Sequence, residues 1–436
     1  MSITVSPVLS SEYLLHYIWR TKQFERINLF LTDGRKIEII DFGRYNTNSG
    51  PDFLHGKVRV GNTILAGHIE MHLKSSDWEA HNHQSDPAYN SVILHVVGIH
   101  DREVNNYNDH QLITLEIGTL IDENISSKFE LLNRNHDEIH CSGLNPARVQ
   151  ESIWTIWKER LNIERLQGRV NWVNELMESS KNDWEAIMYR QLFMSMGTNV
   201  NKEAFNFLAE RIDHKIFMKV RHDELMSHAL VFGMAGMLEK KFEEEYPKLL
   251  QNTFRFLQNK FELQPLNPVI WKYSKMHPHN FPDLRIAQAV EIMRRNDHFF
   301  SQIANAPQIE NIRQLLKLNE LPEYWNDHFI LGHKSVPRTK KLGKNSIDLI
   351  IINGIIPVLF MYGHQQHLVQ LQEKALEILS EMPQEQNYII RQWETLNIGS
   401  TNAQDSQALI QLKKNYCDHS KCLQCSIGHE LLKKQN

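Results

Sequence analysis

Between residues 46 and 74 the chain carries an unusual density of groups able to do chemistry. The turn-rich segment 46–53 (NTNSGPDF) ends in Gly50-Pro51-Asp52, and the strand-like stretch that follows carries Glu70, His72 and Lys74. Side chains alternate across a strand, so these three residues share one face. Ionisable groups on one face of an otherwise apolar strand are costly unless that face meets water, metal or substrate. Asp52 and Glu70, brought together, offer hard oxygen ligands to a divalent cation, with Mg²⁺ the default and Mn²⁺ the alternative. Such an ion polarises a phosphoryl oxygen and acidifies a bound water, while a neighbouring Lys or His orients that water. The residue types therefore point to phosphodiester hydrolysis.

The next segment, SSDWEAHNHQSD, adds Ser75, Ser76, Asp77, His81, His83 and Asp86, and His95 follows on the next apolar run. Seven of the 23 histidines (68, 72, 81, 83, 95, 100 and 110) fall between residues 68 and 110, a concentration that suggests one polar site. His81 and His83 are candidates for contacting a scissile phosphate or a base. His81-x-His83-x-x-Asp86 also has the look of a metallohydrolase ligand string, but the adjacent Asp-His pair of the metallo-β-lactamase type is missing. Each feature has a plainer explanation when taken alone. Gly-Pro-Asp is commonly only a turn, and Glu70 with Lys74 can be an ion pair on a solvated edge strand.

Pro51-Asp52, an interval of 17 residues, and then Glu70 with His or Lys partners resembles the PD-(D/E)xK nuclease superfamily. The resemblance covers about 110 residues and implies a restriction-endonuclease-like core. It casts Asp52 and Glu70 as metal ligands and Glu12, on an opening helix, as a further acidic ligand. The family motif places Lys two residues after the Glu, where this chain has His72. Either Lys74 substitutes from the same face, or His72 does the work, or the site has lost its chemistry. The longer string GPDF, GHIEMHLKSSDWEAHNH, SDPAYNSVILHVVG and the cysteine tail resembles a bacterial family known as a domain of unknown function, over the whole chain; that likeness implies no activity.

Three of the four cysteines cluster as Cys417-x4-Cys422-x2-Cys425. A CxxC turn can aim two thiolates at one ion, and the fourth ligand is Cys141, or else His419 or His429; tetrahedral zinc suits any of these sets. The pattern also resembles the iron–sulfur staple of some helicase-associated nucleases, though here the nuclease-like part precedes Cys141. A second candidate surface is the basic segment 333–344 (HKSVPRTKKLGK), where Lys334, Arg338, Lys340, Lys341 and Lys344 stand without an acidic residue and can track nucleic-acid phosphates. Lys413, Lys414, Lys421, Lys433 and Lys434 add positive charge in the tail. The loop His277-Pro278-His279-Asn280-Phe281-Pro282, followed by Arg285, has no role that sequence alone supplies.

These groups need elements to hold them. Apolar spacing predicts a helix over residues 12–30 and strands over 36–42, 57–60 and 63–73, the last two joined by a Gly61-Asn62 hairpin turn. Further strands are expected over 91–98 and 112–118. That order implies a mixed α/β sheet over residues 1–135. Helical periodicity dominates from residue 145 to 410, with segments at 153–176, 184–196, 202–211, 224–235, 246–261, 284–303 and 366–382. A Cys-rich tail follows over 411–436. With 436 residues, 41% hydrophobic and a net charge of −4, the chain can bury two cores and has no global basic field. Polyanion binding must then be local. The closest run to a membrane span, 347–362, is broken by Asp348, Asn353, Gly354 and Pro357, and no signal-peptide pattern opens the chain, so a cytoplasmic protein with no membrane partner is expected. The two functional expectations are a metal-dependent nuclease acting on DNA or RNA, and a catalytically inactive nucleic-acid-binding or scaffold protein on the same core.

Overall fold

The computed structural model describes residues 11–46, 48–133, 139–180 and 182–433. These fall into two compact units. The first takes the described residues up to Trp157 together with 391–398 and the tail from Gln411; the second takes 158–390 and 399–410. Lys434 lies outside the described residues.

The first unit opens with helix α1 (Glu12–Thr21). The Ser11 hydroxyl oxygen accepts the Leu14 N–H, and Leu14, Leu15, Ile18 and Trp19 form its buried stripe. The helix stops nine residues short of the expected end. Its apolar spacing lapses after Trp19, Lys22 turns left-handed at φ 58° as the cap, and Phe24 pairs instead with Ile121 as an isolated bridge.

The sheet comprises β1 (Ile37–Asp41), β2 (Arg44–Tyr45), β3 (Phe53–Val60), β4 (Thr63–Lys74), β5 (Val92–Ile99) and β6 (Thr114–Glu116). Its order is β1-β3-β4-β5-β6, with β2 also on β3. The β1/β3 and β3/β4 pairs are antiparallel and β4/β5 and β5/β6 are parallel, so the sheet is mixed, as expected. Val60 pairs with Thr63 across Gly61-Asn62, and Gly61 takes φ +60°, which a two-residue hairpin asks of its first residue. Residues 69–72 are all buried, so the centre of β4 is covered on both faces. The crossover to β5 runs through helix α2 (Asp77–Ala80) and two short 3₁₀ turns, and Trp78 anchors it by packing with Val92, Val104 and Leu112.

The second unit is mainly helical. Helices Trp184–Met196 and Lys202–Arg211 match the expected periodic segments. The expected 284–303 helix is two, Pro282–Arg295 and Phe299–Asn305. Asn296 spends its amide on the Ile292 and Leu315 carbonyls, and His298 is left-handed at φ 48°. The expected 153–176 helix likewise divides into Glu151–Gln167 and Val170–Ser179 around Gly168. Residues 344–365 form one helix of mean hydropathy 1.8, long and apolar enough to cross a membrane by length and composition. Most of its most apolar stretch (72%) is buried, and Asp348 near its start is paired with Arg313 at 3.0 Å, which fits the core helix of this unit.

Candidate functional site

The loop before β3 is tied by Asn46. Its N–H donates to the Asp52 carbonyl at 2.8 Å, and its side-chain amide donates to the Pro51 carbonyl at 3.0 Å. Asp52 is thereby set beside β4, where two bonds clasp the carboxylates reciprocally. The Asp52 N–H donates to Glu70 Oε2, and the Met71 N–H donates to Asp52 Oδ2, each at 3.0 Å. Helix α1 contributes from above: His16 Nε2 lies 3.1 Å from Asp52 Oδ2. Glu12, one helical turn earlier, has its pKa raised by burial, lowered by His81 and His16, and raised again by Asp52 and Asp77, which places it in the same cluster.

Four imidazoles complete the site. His83 Nε2 is 3.3 Å and His72 Nε2 3.8 Å from Glu70 Oε1. His72 Nε2 also meets His81 Nδ1 at 3.1 Å, and on its other side His72 Nδ1 meets His95 Nε2 at 2.9 Å. One ligand atom from each of His72, His81 and His83 falls within 4.8 Å of the others, the geometry of a metal-competent group. Trp78 walls the cluster off, with its ring 5.2 Å from His83 and 5.4 Å from His95, and Tyr89 stacks on His83 at 3.8 Å.

The electrostatics are those of a buried site short of compensating charge. Burial raises the Glu70 pKa, His83 lowers it, and Asp52 raises it further. Burial and then His95, His83 and His81 depress His72 to about 2; burial and the neighbouring imidazoles depress His95 to about 3. Both rings are therefore neutral at physiological pH, the form that ligates metal.

Of the residues singled out in the sequence, Glu12, Asp52, Glu70, His72, His81 and His83 are brought together. Lys74 lies at the exposed end of β4, where its N–H donates to Asp77 Oδ2 at 2.9 Å. Asp86 caps the turn after it by accepting the Ala88 N–H, so the third member of the HxHxxD string serves the backbone. Ser75 and Ser76 bond Asp101, and against the upward push of burial these bonds hold its carboxyl down to about 2, fastening the crossover. Sequence reading missed His16, although its place one turn after Glu12 was the available signal.

In the second unit Lys334, Arg338, Lys341 and Lys344 are exposed, whereas Lys340 is buried. Its Nζ donates to the Asn326 carbonyl at 2.9 Å and sits 4.2 Å from the Phe329 ring centroid, so it braces the segment. The unexplained 277–282 loop meets this segment. His279 packs edge-on to Phe329, and burial followed by His277, Arg285, Lys340 and Arg338 lowers its pKa.

All four cysteines are free, buried and lie around one cavity in the first unit. His419 is exposed, and His429 Nδ1 is engaged by the Tyr17 hydroxyl at 2.8 Å; neither lines that cavity, which argues for Cys141 as the fourth member.

Fold and site together define a mixed α/β protein with a carboxylate–imidazole cluster on its central strand and a mainly helical remainder. The chain belongs to the family described as protein of unknown function DUF2851, whose model matches residues 12–388. The match therefore covers most of the chain and stops before the cysteine tail, short of the whole-chain likeness expected. No curated protein and no solved structure matches the chain.

Proposed function

We propose that the first unit is a divalent-metal-dependent phosphodiester hydrolase acting on nucleic acid. The observation that carries this reading is the convergence of Glu12, Asp52 and Glu70 with His16, His72, His81 and His83 around the buried Glu70 and His72, with His81 at the exposed rim. The scaffold agrees with it: helix, antiparallel strands, crossover and parallel strand follow in the order that the PD-(D/E)xK resemblance implies. Asp52 and Glu70 would hold the ion together with the His72 and His83 imidazoles. When bound, the ion supplies Lewis acidity and an acidified water. Imidazole ligands favour Mn²⁺ or Zn²⁺ more than the all-oxygen preference of Mg²⁺.

The chain's own groups divide the remaining work. His72 is neutral, so it serves as ligand and hydrogen-bond partner and cannot replace the positive charge of a lysine. His81, exposed at the rim and bonded to His72, is placed to take a proton from an entering water. Trp78 and Tyr89 restrict water around His83 and His95. Exposed Lys334, Arg338, Lys341 and Lys344 are the proposed phosphate-tracking residues of the helical unit.

The second reading, an inactive nucleic-acid-binding scaffold, is favoured by the single departure of His72 from the motif. Purified protein stripped with chelator and given Mn²⁺, Zn²⁺ or Mg²⁺ in turn distinguishes the two when assayed on single- and double-stranded DNA and on RNA. Metal-dependent cleavage lost in both Asp52→Asn and Glu70→Gln supports the hydrolase. Retained binding without cleavage under every metal leaves the scaffold.

A further inference from the structure

Cys141 is distant in sequence from Cys417, Cys422 and Cys425, but the four converge. Cys141 lies in the 3₁₀ turn His140–Leu144, Cys417 in the turn Cys417–His419 and Cys422 in the turn Cys422–Gln424, while Cys425 precedes the helix Ser426–Leu432. All line one cavity with otherwise largely apolar and aromatic walls.

Four buried neutral thiols around a cavity are a poor use of space. A cationic centre held by the four sulfurs fills that space and stabilises them as thiolates. The choice of centre follows from spacing. Zinc holds thiolates at about 2.3 Å in a closed tetrahedron, so every pair of sulfurs would stand about 3.8 Å apart with no room between them. Here, among the described residues, no three of the sulfurs lie within 4.8 Å of one another, although all four face the same cavity. An iron–sulfur cluster spreads its cysteines around a core of iron and sulfide and suits this wider cage.

The surroundings agree. The Ile427 and Gly428 N–H groups and the Trp157 indole donate toward the Cys425 sulfur. Such N–H donors stabilise thiolates and set the potential of iron–sulfur centres. Gly428 is also required sterically, since a Cβ there would stand 2.2 Å from the Cys422 carbonyl oxygen.

We propose that Cys141, Cys417, Cys422 and Cys425 ligate an iron–sulfur cluster, reversing the zinc preference drawn from their sequence spacing. The cluster would tie the chain's end to the segment after α/β residues, and it stands or falls independently of the hydrolase reading. The test is iron, acid-labile sulfide and zinc analysis of the full-length protein purified without oxygen from iron-replete cells, with its visible absorption spectrum. Iron and sulfide in equal amounts, about two or four of each per chain, with broad visible absorption and little zinc, is the expected result. Cys422→Ser and Cys425→Ser should lose the colour, while His419→Ala and His429→Ala keep it. Stoichiometric zinc without iron overturns the proposal, and so does protein that takes up no iron even after anaerobic reconstitution with iron and sulfide. Because the wild-type measurement decides, misfolding of a cysteine variant leaves the test intact.

Discussion

Glu70→Gln separates a metal site from a merely structural polar cluster. Glutamine keeps the size of the side chain and the oxygen that accepts the Asp52 N–H at 3.0 Å, and removes a charge from a residue only 5% exposed. Burial and the nearby Asp52 carboxylate both disfavour the charged form of Glu70, and His83 and the Asp52 N–H offset that only in part, so its pKa stays raised. The variant should therefore be more stable than wild type in chelator. Glu70 has a raised folded-state pKa, so the wild type's deficit develops as pH rises from the ordinary carboxylate range through that raised value. It vanishes in acid, where Glu70 is protonated and resembles glutamine. Metal reverses the order: at 100 times its dissociation constant Mn²⁺ stabilises wild type by about 2.7 kcal/mol, and a variant lacking one carboxylate ligand should gain less than about half of that. The assay is thermal melting of the first unit's transition in chelator and across a Mn²⁺ titration. A variant less stable than wild type in chelator, or one that responds equally to Mn²⁺, refutes the reasoning.

Three further outcomes follow from named contacts. His72→Ala should abolish the Mn²⁺-induced thermal shift, whereas Lys74→Ala, at an exposed position, should keep both that shift and cleavage within about threefold of wild type; the reverse pattern assigns the motif's lysine role to Lys74. In the second unit His228, Arg294 and Arg295 surround Glu291, and against the upward push of burial they hold its carboxyl at about 2. Its contribution of about 3 kcal/mol is full above the unfolded-state carboxylate pKa and is lost as pH falls toward 2, so Glu291→Gln should flatten the acid limb of a stability–pH profile measured by denaturant unfolding. Gly428→Ala, forced against the Cys422 carbonyl, should cost about 1–3 kcal/mol and lower the iron content of anaerobically purified protein, and an unchanged content would remove the knuckle from the argument.

The parts legible in the sequence were those with a local cause. The Gly61-Asn62 turn, the alternation through β4 and the continuous apolar run of β5 each announce themselves within a few residues. The end of α1 and the division at Asn296 were not legible as helix boundaries, because both depend on where side-chain and backbone hydrogen bonds find partners in the folded chain. The same contrast holds at the site. Asp52 and Glu70 stood out by residue type, but the clasp in which Glu70 accepts the Asp52 N–H and Asp52 accepts the Met71 N–H, and the arrival of His16 from α1, exist only once the chain has folded.

His72 shows why spacing alone misleads. A motif match asks whether lysine stands two residues after the glutamate and scores histidine as a loss. Here Trp78 and three neighbouring imidazoles enclose the ring, and burial with their charges holds its pKa down, so in the proposed site it would act as a neutral ligand. A lysine there would bring a positive charge into a pocket already crowded with histidines, and burial would press it to deprotonate. A neutral imidazole would instead extend the proposed ligand set. The proposed chemistry then depends more heavily on the divalent ion for positive charge than a lysine-bearing site would. Activity in this protein should accordingly follow the identity of the metal, with Mn²⁺ or Zn²⁺ above Mg²⁺, and equal rates with all three would show that the imidazoles take no part in binding it.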